Sequence, residues 1–150
     1  TNDAASAITR LVDLGVAPYL IGATVIGVLA QRLVRTLCPS CKQPDAATTA
    51  ETLHEIVKPW RLTGELRAYK PVGCLECRMT GYRGRAGLYE LLNVTEAARA
   101  AIHPLPDIAR LRTLALADGL RPLRMAGAIK VAEGLTTIEE VLRATPAWDG

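Results

Sequence analysis

Phenylalanine is absent from this sequence and aromatic residues make up only 4% of it. Leu, Val, Ile and Ala must therefore fill the core. Trp60, Tyr69, Tyr82, Tyr89 and two others are too few to make a convincing platform for stacking bases. The net charge of +3 is likewise too small for a nucleic-acid binder. The two histidines, His54 and His103, lie far apart and near no evident partner, so each is expected at a surface or helix end and not as a base or ligand. No serine-centred elbow, no paired carboxylates at a recognisable spacing and no G-x-x-x-x-G-K-[ST] are present, so these residues alone cannot cradle a nucleotide phosphate as a P-loop does. Glu139 and Glu140 read as helix-capping residues. No segment has the pattern of a signal peptide and the cysteine spacing is not that of a secreted disulfide scaffold, so a reducing cytoplasm is expected. The charge-free stretch from Leu14 to Gln31 contains Gly15, Pro18, Gly22 and Gly27. Its apolar part falls short of the ~20 residues a membrane span needs and reads as a buried helix.

What is present is two cysteine hooks, Cys38-Pro-Ser-Cys41 and Cys74-Leu-Glu-Cys77, and no other cysteine. A two-residue spacer lets both thiolates of a hook reach one ion, so two hooks can close a tetrahedral site. Zinc, borderline-soft and without geometric preference of its own, suits such a site in a structural role. Cys38-Pro-Ser-Cys41 taken alone also fits a thioredoxin-like redox pair. The second hook argues against that, because redox chemistry needs one pair and a closed site needs both. Residues 38–85 carry eight Lys/Arg against five Asp/Glu. Part of that surplus (Lys70, Arg78, Arg83, Arg85) can offset a site in which four thiolates and a divalent ion total −2; a solvated basic face is the plainer reading.

The hydrophobic content of 49% over 150 residues suits one ordinary domain or one core with a small appendage. Asp3 is placed to cap a helix carrying Ile8, Leu11 and Val12 and stopped by Gly15. Pro18 is expected to open a second helix running to about Ala30. From Gln31 the period becomes two, with Leu33, Arg35 and Leu37 on one face of a short strand and Arg32, Val34 and Thr36 on the other. After the turn Gly81-Tyr-Arg-Gly84, residues 85–94 read as another strand, with Leu88 and Leu92 opposed to Tyr89 and Leu91. Between the hooks Leu53, Ile56, Val57 and Trp60 give a weak helical pattern limited by Pro59. So small a unit can hardly bury a core of its own, and metal would supply much of its stability. Further helices are expected from Thr95, from Asp107 to Gly119, and from Pro122 to Gly134. A capping box of Thr136 and Glu139 precedes a last one, and the tail from Pro146 to Gly150 is expected to fray.

Thr1-Asn-Asp-Ala4, Arg10-Leu-Val-Asp-Leu-Gly15, Gln31-Arg-Leu-Val-Arg-Thr-Leu-Cys-Pro-Ser-Cys41, Val72-Gly-Cys-Leu-Glu-Cys77, Thr80-Gly-Tyr-Arg-Gly-Arg85, Gly87-Leu-Tyr-Glu-Leu-Leu92 and Gly134-Leu-Thr-Thr-Ile-Glu-Glu-Val-Leu142 together resemble the secretion ATPases of type II secretion and type IV pilus assembly. The resemblance spans nearly the whole chain; residues 43–69 and the tail are nondescript. The Arg-Thr-Leu-Cys-Pro form leans toward the type II branch, with the pilus branch close. The resemblance implies an α/β fold, the C-terminal part of a RecA-like ATPase domain, mostly α-helical, with a small Cys₄ zinc module inserted between two adjacent antiparallel strands. The implied divisions are 1–37 for the end of the ATPase core, 38–84 for the zinc module, and 85–150 for the closing strand and a helical subdomain. It further implies a cytoplasmic homo-hexamer, peripheral to the inner membrane through a platform protein or that protein's cytoplasmic domain, with ATP and magnesium bound by motifs upstream of these residues. Arg10, Arg32 and Arg35 are candidates to approach a neighbouring subunit's nucleotide, against the plainer reading that they are solubilising. The remaining alternative is a free-standing zinc-ribbon module that binds protein or nucleic acid.

Overall fold

A computed structural model describes residues 2–147; residues 148–150 of the tail expected to fray lie outside these, as does Thr1. The fold is mixed α/β. The described residues form helices α1 (Ala4–Asp13), α2 (Pro18–Thr24), α3 (Ala50–Val57), α4 (Glu96–Ile102), α5 (Ile108–Ala117), α6 (Leu123–Ala132) and α7 (Ile138–Ala144). They also form strands β1 (Gly27–Leu37), β2 (Gln43–Pro44), β3 (Tyr69–Lys70) and β4 (Tyr82–Asn93). β1 pairs with β4 and β2 with β3. The Val94 amide donates to the Ile26 carbonyl at 3.0 Å and the Cys38 amide to the Gly81 carbonyl at 2.9 Å, so β1 and β4 run antiparallel. In the shorter antiparallel pair, Gln43 stands opposite Lys70 and Pro44 opposite Tyr69.

The chain forms two compact units, with β1 and β4 each contributing to both. The first comprises residues 2–31 and 89–122. Its core is Ile8, Ile21, Leu92, Ile102 and Leu111 with small alanines around them, as an aliphatic composition requires. Caps fix its helices. The Asp3 carboxylate accepts the Ser6 amide at 3.0 Å, and Thr95 and Asp107 do the same for α4 and α5. α1 stops where Gly15 adopts φ +99. Beside its start lies Glu90, 3% exposed, whose carboxylate accepts the Ala4 amide at 2.7 Å; a negative charge there is favoured by the helix dipole.

The second unit comprises residues 32–88 and 123–147. Leu53 and Val57 of α3 are buried in one cluster with Ala128 and Val131 of α6 and Val141 of α7. The helix between the hooks therefore shares a core with the C-terminal helices instead of standing on metal alone. Gly127 permits this packing: a Cβ there would lie 2.5 Å from Val141 Cγ1 and 3.2 Å from Leu88 Cδ1.

Three elements differ from expectation. α2 ends at Thr24 and β1 begins at Gly27, because Val25 turns extended (φ −77, ψ 122) and Thr24-Val-Ile26 is a β-branched run that favours a strand. β4 starts at Tyr82, three residues early, with the expected turn forming its first residues. The cap of α7 is Thr137, whose hydroxyl accepts the Glu140 amide at 3.3 Å, and not Thr136 with Glu139. In β4, Leu88 and Leu92 are buried while Tyr89 and Leu91 are exposed, as read from the alternation.

Candidate metal centre

β1 delivers Cys38 to the end of the strand pair, and the chain turns at once so that the Lys42 amide donates to the Cys38 carbonyl at 3.0 Å. This turn carries Cys41. The second hook sits on a tighter loop. The Met79 amide donates to the Cys74 carbonyl at 2.8 Å, and Arg78 and Met79 both adopt left-handed conformations, φ 55 and 64. Gly73 and Gly81 flank it at φ +115 and +81; a Cβ at 81 would lie 2.5 Å from Pro71 Cβ, and one at 73 would lie 3.0 Å from the Met79 carbonyl oxygen. Only glycine fits either place without strain.

The four sulfurs lie within 4.8 Å of one another. Cys38 to Cys74 is 3.8 Å, Cys41 to Cys77 3.8 Å and Cys74 to Cys77 3.7 Å. A tetrahedron with Zn–S bonds of ~2.3 Å has edges of about 3.8 Å, so the donor set fits one tetrahedral ion. All four sequence-predicted cysteines meet here, Cys38 and Cys77 buried and Cys41 and Cys74 partly so. Amides point at the sulfurs: Gly73 donates to Cys41 at 3.3 Å, while Cys74 and Gly81 each donate to Cys77 at 3.2 Å. Burial pushes the Cys77 thiol up, but those two amides and the neighbouring Cys74 and Cys41 outweigh it and draw it down to about 6. At Cys74 the Cys77 amide favours the thiolate, but burial and sharing of its proton with Cys77 and Cys38 push it up to about 11. Like charges this close cannot all ionise without a cation between them.

Around the sulfurs, Ser40 Oγ donates to Glu76, which also pairs with Arg83 at 3.7 Å. Lys42 Nζ donates to the Gly134 carbonyl at 2.9 Å and stands 4.5 Å from the Tyr69 ring centre. No histidine joins the cluster. His54 Nε2 lies 3.5 Å from the Leu62 carbonyl and His103, exposed at the end of α4, meets the Tyr19 ring edge-on.

Each candidate arginine has its own surroundings. Arg35 is taken by Glu140, with Nε and Nη2 at 3.1 and 3.2 Å from its oxygens, and lies 4.1 Å over the Tyr82 ring. Arg10 lines an open polar dent with Asn2, Ser6, Thr9, Asp13 and Arg112, and Arg32 is half-buried in β1. Glu140 itself was not legible as a partner of Arg35. The only signal, a second acidic residue at the start of α7, is spent equally well on the helix dipole.

Residues 1–143 match the model of the family described as type II/IV secretion system protein. The chain belongs to that family. Over 145 residues it is 45% identical to type II secretion system protein E of Pseudomonas aeruginosa, covering 97% of this chain and 28% of that protein. It is 44% identical over 146 residues to the type IV pilus assembly ATPase TfpB of Acinetobacter baylyi, again 97% of this chain and 25% of the relative. The type IV pilus assembly ATPase PilB of Thermus thermophilus is 43% identical over 148 residues, 97% of this chain and 16% of the relative. The chain thus spans between 16% and 28% of the length of these relatives. Among the described residues no helix is long and apolar enough to cross a membrane.

Proposed function

We propose that these residues are the C-terminal segment of a RecA-like, hexameric cytoplasmic ATPase that drives type II secretion or type IV pilus assembly. In this reading a structural zinc module is inserted between β1 and β4 and serves assembly or partner docking. The observation that carries it is the closed set of four sulfurs in a chain of this family. Zinc, when bound, supplies a closed-shell crosslink with no open coordination position. The protein's own contribution is to aim amides at Cys41 and Cys77 and to hold both hooks on glycine-pinned turns. Relatives of both branches stand at 43–45% identity, so the Arg-Thr-Leu-Cys-Pro form of the first hook is what favours type II secretion. On this reading ATP and Mg²⁺ are held by the intact protein, since the P-loop pattern that cradles the phosphates is not in this sequence. The partner on this reading is an inner-membrane platform protein or its cytoplasmic domain, which places the protein peripherally at that membrane.

Elemental analysis of the purified protein is expected to show one zinc per chain, lost in Cys74→Ser. The 150 residues alone are expected to show no ATP hydrolysis above buffer, and the full-length protein to hydrolyse ATP. In the full-length protein, replacing residues 42–73 by a short linker, which also removes Leu53 and Val57 from the core they share with α6 and α7, is expected to abolish secretion; ATPase activity retained by folded protein would make docking the reason. Metal-free protein with four titratable thiols would remove the zinc reading. Joint loss of folding and ATPase activity would make the module a brace only.

A further inference from the structure

The segment joining α6 to α7 is bonded along its length to residues that flank the metal ligands. The Leu37 amide, one residue before Cys38, donates to the Leu135 carbonyl at 2.9 Å. Lys42, one residue after Cys41, donates from Nζ to the Gly134 carbonyl at 2.9 Å while lying over the Tyr69 ring. From the second hook comes Tyr82, the neighbour of Gly81, whose amide donates to Cys77. The Tyr82 hydroxyl lies 3.0 Å from that of Thr137. Thr136 is fully buried and donates to the Arg35 carbonyl at 2.7 Å. Gly134, at φ +76, permits the close approach of β3: a Cβ there would lie 2.6 Å from the Tyr69 ring and 2.7 Å from the Arg67 carbonyl oxygen.

Bonds from both hooks therefore converge on one short segment. The hooks face each other at 3.8 Å from Cys38 to Cys74 and at 3.8 Å from Cys41 to Cys77. An ion among these sulfurs fixes one hook against the other, so Leu37, Lys42 and Tyr82 meet residues 134–137 already in place. Without the ion the same bonds must also order the hooks, and the conformational entropy of doing so weakens them. We infer that the α6–α7 connection is a latch set by the metal centre: an ion on the four sulfurs fixes residues 134–137 and the start of α7, and the closed latch slows the ion's release. This rests on the zinc reading above and specifies what occupancy changes beyond the cysteines. The start of α7 is the part that responds. Its cap Thr137 is the residue bonded to Tyr82, and its Glu140 accepts the Arg35 amide at 2.7 Å. Such coupling is reciprocal by linkage, so it can be read from either end.

The test uses the full-length protein. Hydrogen exchange is compared between zinc-loaded protein and protein stripped by a chelator. The Leu37 amide and residues 134–141 are expected to exchange about fivefold faster or more once zinc is gone. Zinc release to a colorimetric chelator is then timed for Tyr82→Phe with Thr136→Val, which removes two hydroxyls and touches no sulfur. It is expected to be about fivefold faster or more than in the parent protein. Thr145→Val is the control, removing a buried hydroxyl of the same unit at the far end of α7, where it donates to the Val141 carbonyl at 2.7 Å. Release from that variant is expected to match the parent. Unchanged exchange at 134–141 on zinc loss, or unchanged release from the double variant, would overturn the latch. Equal acceleration by Thr145→Val would overturn it too, because release would then follow the stability of the whole unit. If the double variant fails to fold, Tyr82→Phe alone carries the comparison, since it keeps the ring that Arg35 covers. Protein that takes up no zinc at all would sink the metal reading itself, and the latch with it.

Discussion

Glu140 is only 5% exposed, yet it accepts from the Arg35 amide at 2.7 Å, from the Arg35 guanidinium and from Arg143 at 3.1 Å. Burial alone would raise its pKa, but the hydrogen bonds from Arg35 and the Arg143 charge hold it below the usual carboxylate value. Glu140→Ala leaves the Arg35 amide without its acceptor and the guanidinium half in solvent. The expected loss is about 2 kcal/mol, less than for a fully buried pair because Arg35 can turn to water. Glu140→Gln, which keeps an acceptor and removes the charge, is expected to lose roughly half as much. Urea unfolding of zinc-loaded protein measures both; equal stability of all three forms would mean that the pair contributes nothing.

At the scale of elements, the contact of α6 with α7 turns on Gly127. Alanine is a better helix former by about 1 kcal/mol, but its Cβ would press on two Val141 methyls at 2.5 and 2.8 Å, and overpacking costs about 1–3 kcal/mol. Gly127→Ala is therefore expected to destabilise, and a raised urea midpoint would refute this packing. The same elements show what the sequence discloses. Hooks and the caps Asp3, Thr95 and Asp107 were legible because each signal lies within four residues of its consequence. The end of α2 was not, since the charge-free stretch from 14 to 31 carries no polar period to separate helix from strand. The Thr136–Glu139 box fitted the capping pattern, but the Thr136 hydroxyl instead donates to the Arg35 carbonyl at 2.7 Å. Thr137 is left to cap. Contacts such as Glu90 with Ala4 or Glu140 with Arg35 join residues far apart in the chain, and no window of sequence contains them.

Across the whole molecule, each unit holds a carboxylate that acid should release. Asp3 is raised by burial, but its bonds to Arg112 and Ser6 outweigh this and lower its pKa, as Arg35 does for Glu140. A depressed folded-state pKa contributes stability that is complete above the unfolded value, near 4, and is lost as pH falls through the folded one. Stability is therefore expected to be level from about pH 8 to 5 with respect to these groups and to decline below about pH 4. In Asp3→Asn combined with Glu140→Gln, that acid decline should be shallower; an unchanged profile would assign it to other groups. The sulfur cluster has a consequence in time as well as in stability. It joins Cys38 to Cys77 at the place where β1 meets β4, so metal and strand pairing close one and the same loop. Closing a loop of roughly 40 residues costs about 4 kcal/mol of chain entropy. Whichever forms first makes the other a local event. Zinc present at the start of refolding should thus speed the search for the strand pair more than it slows unfolding, which stopped-flow refolding with and without the metal resolves directly.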